Sequence, residues 1–396
     1  MTRSLSAPFY AALCFALCCI LQSCSEESTQ PTDTSKVIQQ SVAQHYGNIV
    51  LASYSDALAS AQDMKIAIAN FTQSPNEASF MQAKKAWLEA RNWYGQTEVF
   101  RFYGGPIDDE NGPEGLLNAW PLDESYIDYV VGNPEAGVIN NTKDYPIINE
   151  ALIEQLNEQG GETNISAGYH AIEFLLWGQD ITSPSQKLPG QRPLTDFTTE
   201  KNAQRRKEYL NIVADMIIGH LSELVAQWSN NSNNYRTKFL NQNTDSSLTS
   251  ILQGMSSLTG GELSGERMTV ALGKGEQEDE HSCFSDNTHN DIIMNQKGIE
   301  NIWLGVYKRR DGSLVTGKGI YSLIEQKNAV IAQEVQEYVN KSNEKISQIQ
   351  APFDYEISQG NSAGNQRVAQ AITALQKQAF GIVKVAETLN IRLNLE

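Results

Sequence analysis

The sequence predicts an all-α protein built from antiparallel helical bundles. Apolar residues recur at spacings of three to five along most of the 396-residue chain, which is close to the helical period. The strict alternation of apolar and polar residues that marks a half-buried strand is largely absent. A chain of this length can bury one large core or two smaller ones. We therefore expect two bundles, over residues 37–230 and 231–396, that meet near the polar stretch Ser229–Tyr235.

The helices can be placed in order from their apolar stripes and end signals. The first should cover residues 36–72. Ser74-Pro75-Asn76-Glu77 is a strong start signal, so the second helix should run from Pro75 to about Tyr103. The remaining predicted helices cover residues 147–159, 165–177, 198–228, 245–272, 291–307, 319–348 and 365–392. The helix over 198–228 is amphipathic, and its expected stripe is Tyr209, Val213, Met216, Ile217, His220, Leu224 and Trp228.

Residues 1–23 predict a lipoprotein signal peptide. Residues 5–21 are mostly apolar, too short for a comfortable membrane span and typical of a secretory signal. They lead into Leu21-Gln22-Ser23-Cys24, which resembles a bacterial lipobox, so we expect lipidation of Cys24. Residues 24–36 are polar and predict a flexible tether. The expected location is the bacterial cell envelope, facing the periplasm or the cell surface; plain secretion and a transmembrane anchor are the alternatives.

Charge and cysteine content limit the partners and the crosslinks of this chain. It has 30 Lys and Arg against 47 Asp and Glu, a formal net charge of −17. A surface of this sign does not suit nucleic acid, so we expect no nucleic-acid partner. Of five cysteines, only Cys283 lies beyond Cys24. The mature fold therefore has no intrachain disulfide available.

The most informative pattern is Gly168-x-His170-x-x-Glu173 at the start of an apolar helix. His170 and Glu173 are three residues apart, so they share one helical face. The apolar residues around them predict that this face is buried, where an imidazole and a carboxylate need partners. A metal ion is one such partner. The spacing is short and common, so alone it is a weak indication.

A second polar group lies on the helix predicted from Pro75. Arg91, Tyr94 and Glu98 follow one another at spacings of three and four, on a stripe that also carries apolar residues. An Arg and a Glu within such a stripe need pairing partners or a ligand. A purely structural Arg–Glu network is the alternative.

The third polar group is the run of residues 278–291. It contains two of the five histidines, His281 and His289, together with five carboxylates. It lies between predicted helices, where ligand-binding groups concentrate. The alternative is a solvated acidic loop in which Ser285 and Asp286 cap the next helix.

At these residues the chain resembles the imelysin-like proteins, also called insulin-cleaving-metalloprotease-like. The resemblance covers about residues 40–393 and implies two four-helix-bundle domains with a site in the cleft between them. It also implies an exported, often lipid-anchored protein linked to iron or haem acquisition. The segments that carry it are Gly168-x-His170-x-x-Glu173, Ala90-Arg91-x-x-Tyr94-x-x-x-Glu98, Ser264-Gly265-Glu266-Arg267-Met268 and Glu280–Asp286, of which the last two are most similar to the iron-regulated protein A branch.

The resemblance also implies a set of metal ligands. His170 and Glu173 match the family's characteristic pair, and Glu98 matches a carboxylate that faces them. A further carboxylate is expected from Asp109 or the neighbouring Asp108, where the match is by position alone. We expect Arg91 to hold Glu98 in place beside the site. The residues expected to support the ligands or line the cleft are Arg91, Tyr94, Arg267, Glu280, His281, Ser285 and Asp286.

Two functions are compatible with such a ligand set. One imidazole with two or three carboxylates suits iron, manganese or zinc. We expect a binding protein for iron acquisition, with an iron ion favoured over zinc and haem as a further candidate ligand. Its other expected partners are the bacterial membrane, through the lipid, and membrane proteins of iron uptake. The alternative is a zinc-dependent metallopeptidase, which would need three protein ligands, an open position and a general base.

Overall fold

The structure, a computed structural model, describes residues 34–394. The predicted signal peptide, the predicted lipidation site Cys24 and most of the predicted tether lie outside the described residues. The fold is all-α, as the sequence predicts. One antiparallel hairpin interrupts it, formed by β1 (Val306–Lys308) and β2 (Leu314–Thr316).

Sixteen helices make up most of the described chain, connected by short turns and one long irregular region. They are α1 Thr34–Gln73, α2 Glu77–Tyr94, α3 Glu114–Leu117, α4 Glu124–Ile127, α5 Gly137–Asn140, α6 Glu150–Leu156, α7 Gly168–Trp177, α8 Ala203–Trp228, α9 Tyr235–Asn241, α10 Thr244–Ser257, α11 Ala271–Lys274, α12 Thr288–Leu304, α13 Ile320–Lys327, α14 Ala329–Ile346, α15 Phe353–Ile357 and α16 Ser362–Thr388. Four short 3-10 helices occupy Gly95–Phe100, Pro184–Gln186, Leu194–Phe197 and Gln277–Asp279.

Both ends of α2 differ from the prediction. Its N-cap is Asn76, whose side chain accepts a hydrogen bond from the Ser79 amide at 3.0 Å, while the Ser79 hydroxyl accepts from the Asn76 amide at 3.2 Å. This reciprocal pair satisfies the first free amides without Ser74. The helix ends at Tyr94, not near Tyr103, and tightens into the 3-10 turn that begins at Gly95.

Close packing against α12 explains why the chain tightens after α2. A Cβ on Gly95 would lie 2.9 Å from the Met294 Cβ, and one on Gly298 would lie 2.5 Å from the Gln96 carbonyl oxygen. The two backbones therefore approach more closely than side chains would allow. This contact places the residues of the 3-10 turn, including Glu98, against the C-terminal half of the chain.

The helix predicted over residues 245–272 is continuous but not uniform. It begins as α10, widens into a π-helical segment over Leu258–Val270 and ends as α11. Such widened turns are rare in proteins, and those that occur are often found at functional sites. Arg267 lies in this segment and is buried.

The main hydrophobic core draws side chains from both sides of residue 230. Val50, Trp87 and Leu221 pack in the same cluster as Trp303 and Val385. A smaller cluster lies between the π-helical segment and the helices α12, α14, α15 and α16. The division into two domains at residue 230 remains a prediction.

Helix α8 is, within residues 34–394, the helix whose length and composition would allow it to cross a membrane. Its buried face includes Tyr209, Val213, Ile217 and Leu224, the stripe expected from the sequence. It packs against α1 and α7. We therefore describe α8 as a core helix of this fold.

Candidate metal site

The motif Gly168-x-His170-x-x-Glu173 begins α7 at a point where only glycine fits. Gly168 has a φ of +88°, and a Cβ there would lie 2.7 Å from the Leu117 carbonyl oxygen. The close approach and the positive φ together require glycine. All ten residues of α7 are buried, and His170 and Glu173 have no exposed surface.

The His170–Glu173 pair is bonded internally and to a distant loop. His170 Nδ1 lies 2.8 Å from Glu173 Oε2. The other oxygen, Oε1, accepts hydrogen bonds from the Ser285 amide at 3.0 Å and the Ser285 hydroxyl at 2.7 Å. Ser285 therefore fixes Glu173 and does not cap α12, whose N-cap position is Asn287. Within residues 34–394, His170 Nε2 has no hydrogen-bond partner.

A second histidine repeats this arrangement. His281 Nδ1 lies 3.1 Å from Asp291 Oδ2, and among the described residues His281 Nε2 also lacks a partner. The two imidazole rings are 4.6 Å apart between centroids, at an interplanar angle of 77°. Metal-binding histidines commonly use one nitrogen for a carboxylate and the other for the metal. His170 and His281 are thus two buried imidazoles, side by side, that each leave Nε2 available to a ligand.

Arg91 does not hold Glu98, contrary to the expectation from the sequence. Its guanidinium pairs with Asp291, with Nε 3.3 Å from Oδ1 and Nη2 3.2 Å from Oδ2, and it also donates to Asn118 Oδ1. Arg91 and Asp291 are each 1 % exposed. Arg91 therefore fixes the carboxylate that orients His281.

Glu98 is held instead by two other arginines. Arg267 Nη2 lies 2.7 Å and Arg101 Nη1 3.1 Å from Glu98 Oε2. Burial alone would raise the pKa of Glu98, but Arg267 and Arg101 lower it to about 2. Glu98 is therefore a buried, ionised carboxylate. Its other oxygen, Oε1, receives only a long contact of 3.4 Å from Asn118.

The protonation states of the two histidines suit metal binding. Burial, with the neighbouring His281 and Arg91, lowers the pKa of His170 well below its ordinary value. Burial and the charge of Arg267 lower the pKa of His281 to about 4. Both imidazoles are therefore neutral at pH 7, the form that binds metals. Burial raises the pKa of Glu173 to about 8, so binding of a metal ion at His170 Nε2 would require Glu173 to lose its proton and accept a hydrogen bond from Nδ1.

A cavity of about 470 Å³ opens beside His281. Its lining carries seven acidic and three basic side chains, an excess of negative charge that attracts cations. Trp120 and His281 both line this cavity, and the Trp120 ring centroid lies 4.9 Å from that of His170 and 6.4 Å from that of His281. The charged residues of the lining are Arg101, Glu114, Glu158, Glu162, Glu262, Glu266, Arg267, Lys274, Glu278 and Asp279.

Comparison with known proteins identifies the family. The sequence profile of imelysin, peptidase family M75, matches residues 50–380. The chain belongs to the imelysin family. It is 26 % identical over 373 residues to the iron-regulated protein A of Synechococcus elongatus, covering 91 % of this chain and 88 % of that protein.

Two solved structures of imelysin-family proteins share this fold. A candidate iron-regulated protein A precursor from Parabacteroides distasonis superposes with a TM-score of 0.69 at 18 % identity, covering 91 % of this chain and 97 % of that one. An imelysin-like protein from Psychrobacter arcticum gives a TM-score of 0.63 at 13 % identity, covering 91 % and 98 %. At these identities the likeness concerns the fold alone.

Two residues that the imelysin resemblance assigned to the site lie outside the histidine group. Asp109 is exposed, in the loop after the 3-10 turn, where its carboxylate accepts a hydrogen bond from the Asn111 amide. Tyr94 is buried and packs against the ring of Tyr169 at 4.9 Å between centroids. In these contacts, neither side chain directs a metal-binding atom toward His170.

Asp286 belongs to a separate acidic cluster, and Glu280 is buried with neither carboxylate oxygen hydrogen-bonded among the described residues. Asp286 lies with Asp180 and Asp354, so that one carboxylate oxygen from each is within 4.8 Å of the others. Among the described residues, this is the group of three His, Cys, Asp or Glu side chains that is close enough to hold a metal ion. The histidine pair therefore has no third protein donor already converged on it.

The sequence did not reveal several residues that build these sites. Asp291, Asn118 and Trp120 each contact a site residue, and Asp180 and Asp354 complete the acidic cluster. Asp291 had one available signal: it follows His281 by ten residues at the predicted start of the next helix. The others lie in loops or at short helix ends, where no periodicity predicts the direction of a side chain.

Proposed function

We propose that this chain is an exported, lipid-anchored protein of the cell envelope that binds an iron ion as cargo and serves iron acquisition. The observation that carries the proposal is the pair of buried, neutral imidazoles of His170 and His281, each with a bare Nε2. Each Nδ1 is already bonded to a carboxylate, so the side chains are oriented before the ion arrives. The relative from Synechococcus elongatus bears the name iron-regulated protein A, which supports an iron-related role.

The donor set suits a cargo ion that brings some of its own ligands. The imidazoles of His170 and His281 are donors of a type that suits iron(II), and they leave the remaining coordination positions of the ion open. Since the protein donors do not converge as a closed group, water or a small chelating ligand would complete the coordination. An incompletely coordinated ion is also easier to release, as transfer to a membrane protein of iron uptake requires.

The charge of the cavity favours an ion over haem. Sites for large organic ligands are mostly apolar, with only a few polar groups. This cavity has seven acidic and three basic side chains in its lining. Such a surface concentrates cations at the mouth of the site and gives an apolar macrocycle little surface to bury.

The same geometry argues for binding rather than peptide hydrolysis. A catalytic zinc normally has three protein ligands and an open position for water. His170 and His281 supply two, and Glu98 is engaged by Arg267 and Arg101. A hydrolytic centre would also need a free general base beside the metal-bound water.

The test of the site is the metal content of the full chain after exposure to iron, zinc and haem. We expect near-stoichiometric iron in the wild type, and iron affinity reduced at least about tenfold in His170→Ala and His281→Ala at unchanged helicity. The matched control is His220→Ala, because His220 lies on α8 and forms no hydrogen bond or ring contact with His170 or His281, so this variant should retain iron. Iron content unaffected by either site substitution would refute the assignment.

The envelope location has its own test. Cys24→Ala should move the protein from the membrane fraction to the soluble fraction, because a lipid on this residue is the proposed anchor. The control is Cys283→Ala, since the Cys283 thiol is buried in the fold and cannot carry a lipid to a membrane. Continued membrane association of the Cys24 variant would reject the lipoprotein assignment.

A further inference from the structure

Three aspartates from distant parts of the chain meet in one buried cluster. Asp180 follows α7, Asp286 precedes α12, and Asp354 lies in the first turn of α15. They are 2 %, 9 % and 2 % exposed, and one oxygen from each lies within 4.8 Å of the others. Three carboxylates this close repel one another strongly when ionised.

The cluster contains donor atoms that the protein leaves unsatisfied. Within residues 34–394, Asp180 Oδ2 and Asp286 Oδ1 have no hydrogen-bond partner. None of the three aspartates forms an ion pair with a described Lys or Arg. The nearby cation Lys187 instead stacks over the Tyr355 ring, 4.2 Å from its centroid.

A fourth carboxylate provides an independent sign of a missing cation. Glu280 is 0 % exposed, and neither of its oxygens has a hydrogen-bond partner among the described residues. Burial, followed by the charges of Asp354 and Asp286, raises the pKa of Glu280 well above its ordinary value. A carboxylate buried without any partner is costly unless it is neutralised or coordinated.

We propose that Asp180, Asp286 and Asp354, with Glu280 beside them, bind a hard divalent cation, with calcium as the best fit. The four side chains offer only oxygen donors, which suit calcium, magnesium and manganese rather than zinc or copper. Magnesium usually keeps several waters, whereas calcium accepts many protein oxygens in flexible geometry. A site assembled from several buried carboxylates therefore fits calcium.

The cation would act on the histidine site through a shared loop. Residues 280–286 include Glu280 and the cluster member Asp286, and they also present His281 to His170 and Ser285 to Glu173. A cation held by the first pair would fix the backbone that presents the second pair. It would also join the segment after α7 to α15, near the other end of the chain.

The experiment is calcium titration of the full chain by calorimetry after removal of bound metals. We expect a single calcium ion to bind, and the affinity to fall at least about tenfold in Asp354→Asn and in Asp180→Asn. Asp109→Asn is the matched control, because this exposed aspartate should leave calcium binding unchanged. Circular dichroism of each variant establishes that the helices have formed.

The outcomes separate this site from the proposed iron site. His170→Ala should bind calcium as the wild type does, even where its iron is lost. The proposal is overturned if the wild type binds neither calcium, magnesium nor manganese, which would mean that the carboxyls are neutralised by protons instead. It is also overturned if Asp354→Asn and Asp180→Asn bind calcium with wild-type affinity.

Discussion

Replacing Arg91 by methionine should destabilise the protein strongly, because it leaves the buried Asp291 without its ion-pair partner. The guanidinium of Arg91 is the cation that bonds this buried carboxylate, at 3.2 and 3.3 Å. Burial opposes the ionisation of Asp291, yet Arg91 and His281 hold its pKa well below the usual range. The unpaired carboxylate would remain buried at 1 % exposure, with only neutral donors around it.

The expected loss can be estimated from the burial of the pair. Removing one partner of a buried ion pair typically costs about 3–5 kcal/mol. Methionine retains most of the volume that packs against the Trp87, Tyr94 and Tyr169 rings, so the cavity contribution is small. This loss is a large fraction of an ordinary free energy of unfolding, which is about 5–15 kcal/mol.

Urea unfolding, followed by circular dichroism, measures the effect. The control is Arg310→Met, because the Arg310–Asp63 pair lies on the surface, and such pairs contribute no more than about 1 kcal/mol. Adding Asp291→Asn to Arg91→Met should recover most of the lost free energy, since the stranded charge is removed.

The same variants distinguish the two possible partners of Arg91. Adding Glu98→Gln to Arg91→Met should recover none of the lost free energy of unfolding, because Arg267 and Arg101 pair with Glu98. A free energy of unfolding of Arg91→Met within about 1 kcal/mol of the wild-type value would contradict the buried pairing. Recovery of stability by Glu98→Gln, and not by Asp291→Asn, would also contradict it.

Two further predictions concern pH and the glycine of the motif. The metal-free protein should become less stable from about pH 6.5 to about pH 8. Burial raises the pKa of Glu173 and of Asp286 to about 8. In this range the folded state therefore retains protons that the unfolded state has released, and a rise in pH favours unfolding. Thermal melts across this range test it, and a flat or rising melting temperature would contradict it. Gly168→Ala should cost about 2 kcal/mol or more, since it combines a φ of +88° with a clash against the Leu117 carbonyl. The control is Gly219→Ala, because Gly219 lies exposed in the middle of α8 with open space around it. In urea unfolding this substitution should raise the free energy of unfolding by up to about 1 kcal/mol. Equal effects of the two substitutions would refute the prediction.

The sequence was most informative where the chemistry is local. The helical period predicted the long helices and the buried stripe of α8, because burial of one face directly determines the spacing of apolar residues. The spacing of His170 and Glu173, in an apolar setting, correctly predicted that both are buried on one helical face. Their roles as metal ligands remain predictions.

The sequence misled where the helical period was interrupted. Arg91 and Glu98 are seven residues apart, so a continuous helix would place them on the same stripe. The helix ends at Tyr94, and the 3-10 turn that follows rotates Glu98 away. Arg91 then meets Asp291, 200 residues further on, and Glu98 meets Arg267, 169 residues further on. Such pairings depend on how distant segments pack, which no local pattern encodes.

The acidic cluster was hidden for the same reason. Asp180, Asp286 and Asp354 come from three separate segments that each resemble an ordinary polar connection. Only in the folded chain do these segments bring one carboxylate oxygen from each residue within 4.8 Å of the others. In the sequence, Asp286 is the one member of this group that appears in a conspicuous polar run.

The most direct test of the proposed iron site is anomalous diffraction at the iron edge, from crystals of the full chain soaked with ferrous iron. An anomalous peak within bonding distance of the Nε2 atoms of both His170 and His281 is the predicted result. Iron density that lies away from both imidazoles, or no iron density in a well-ordered crystal, would contradict the account.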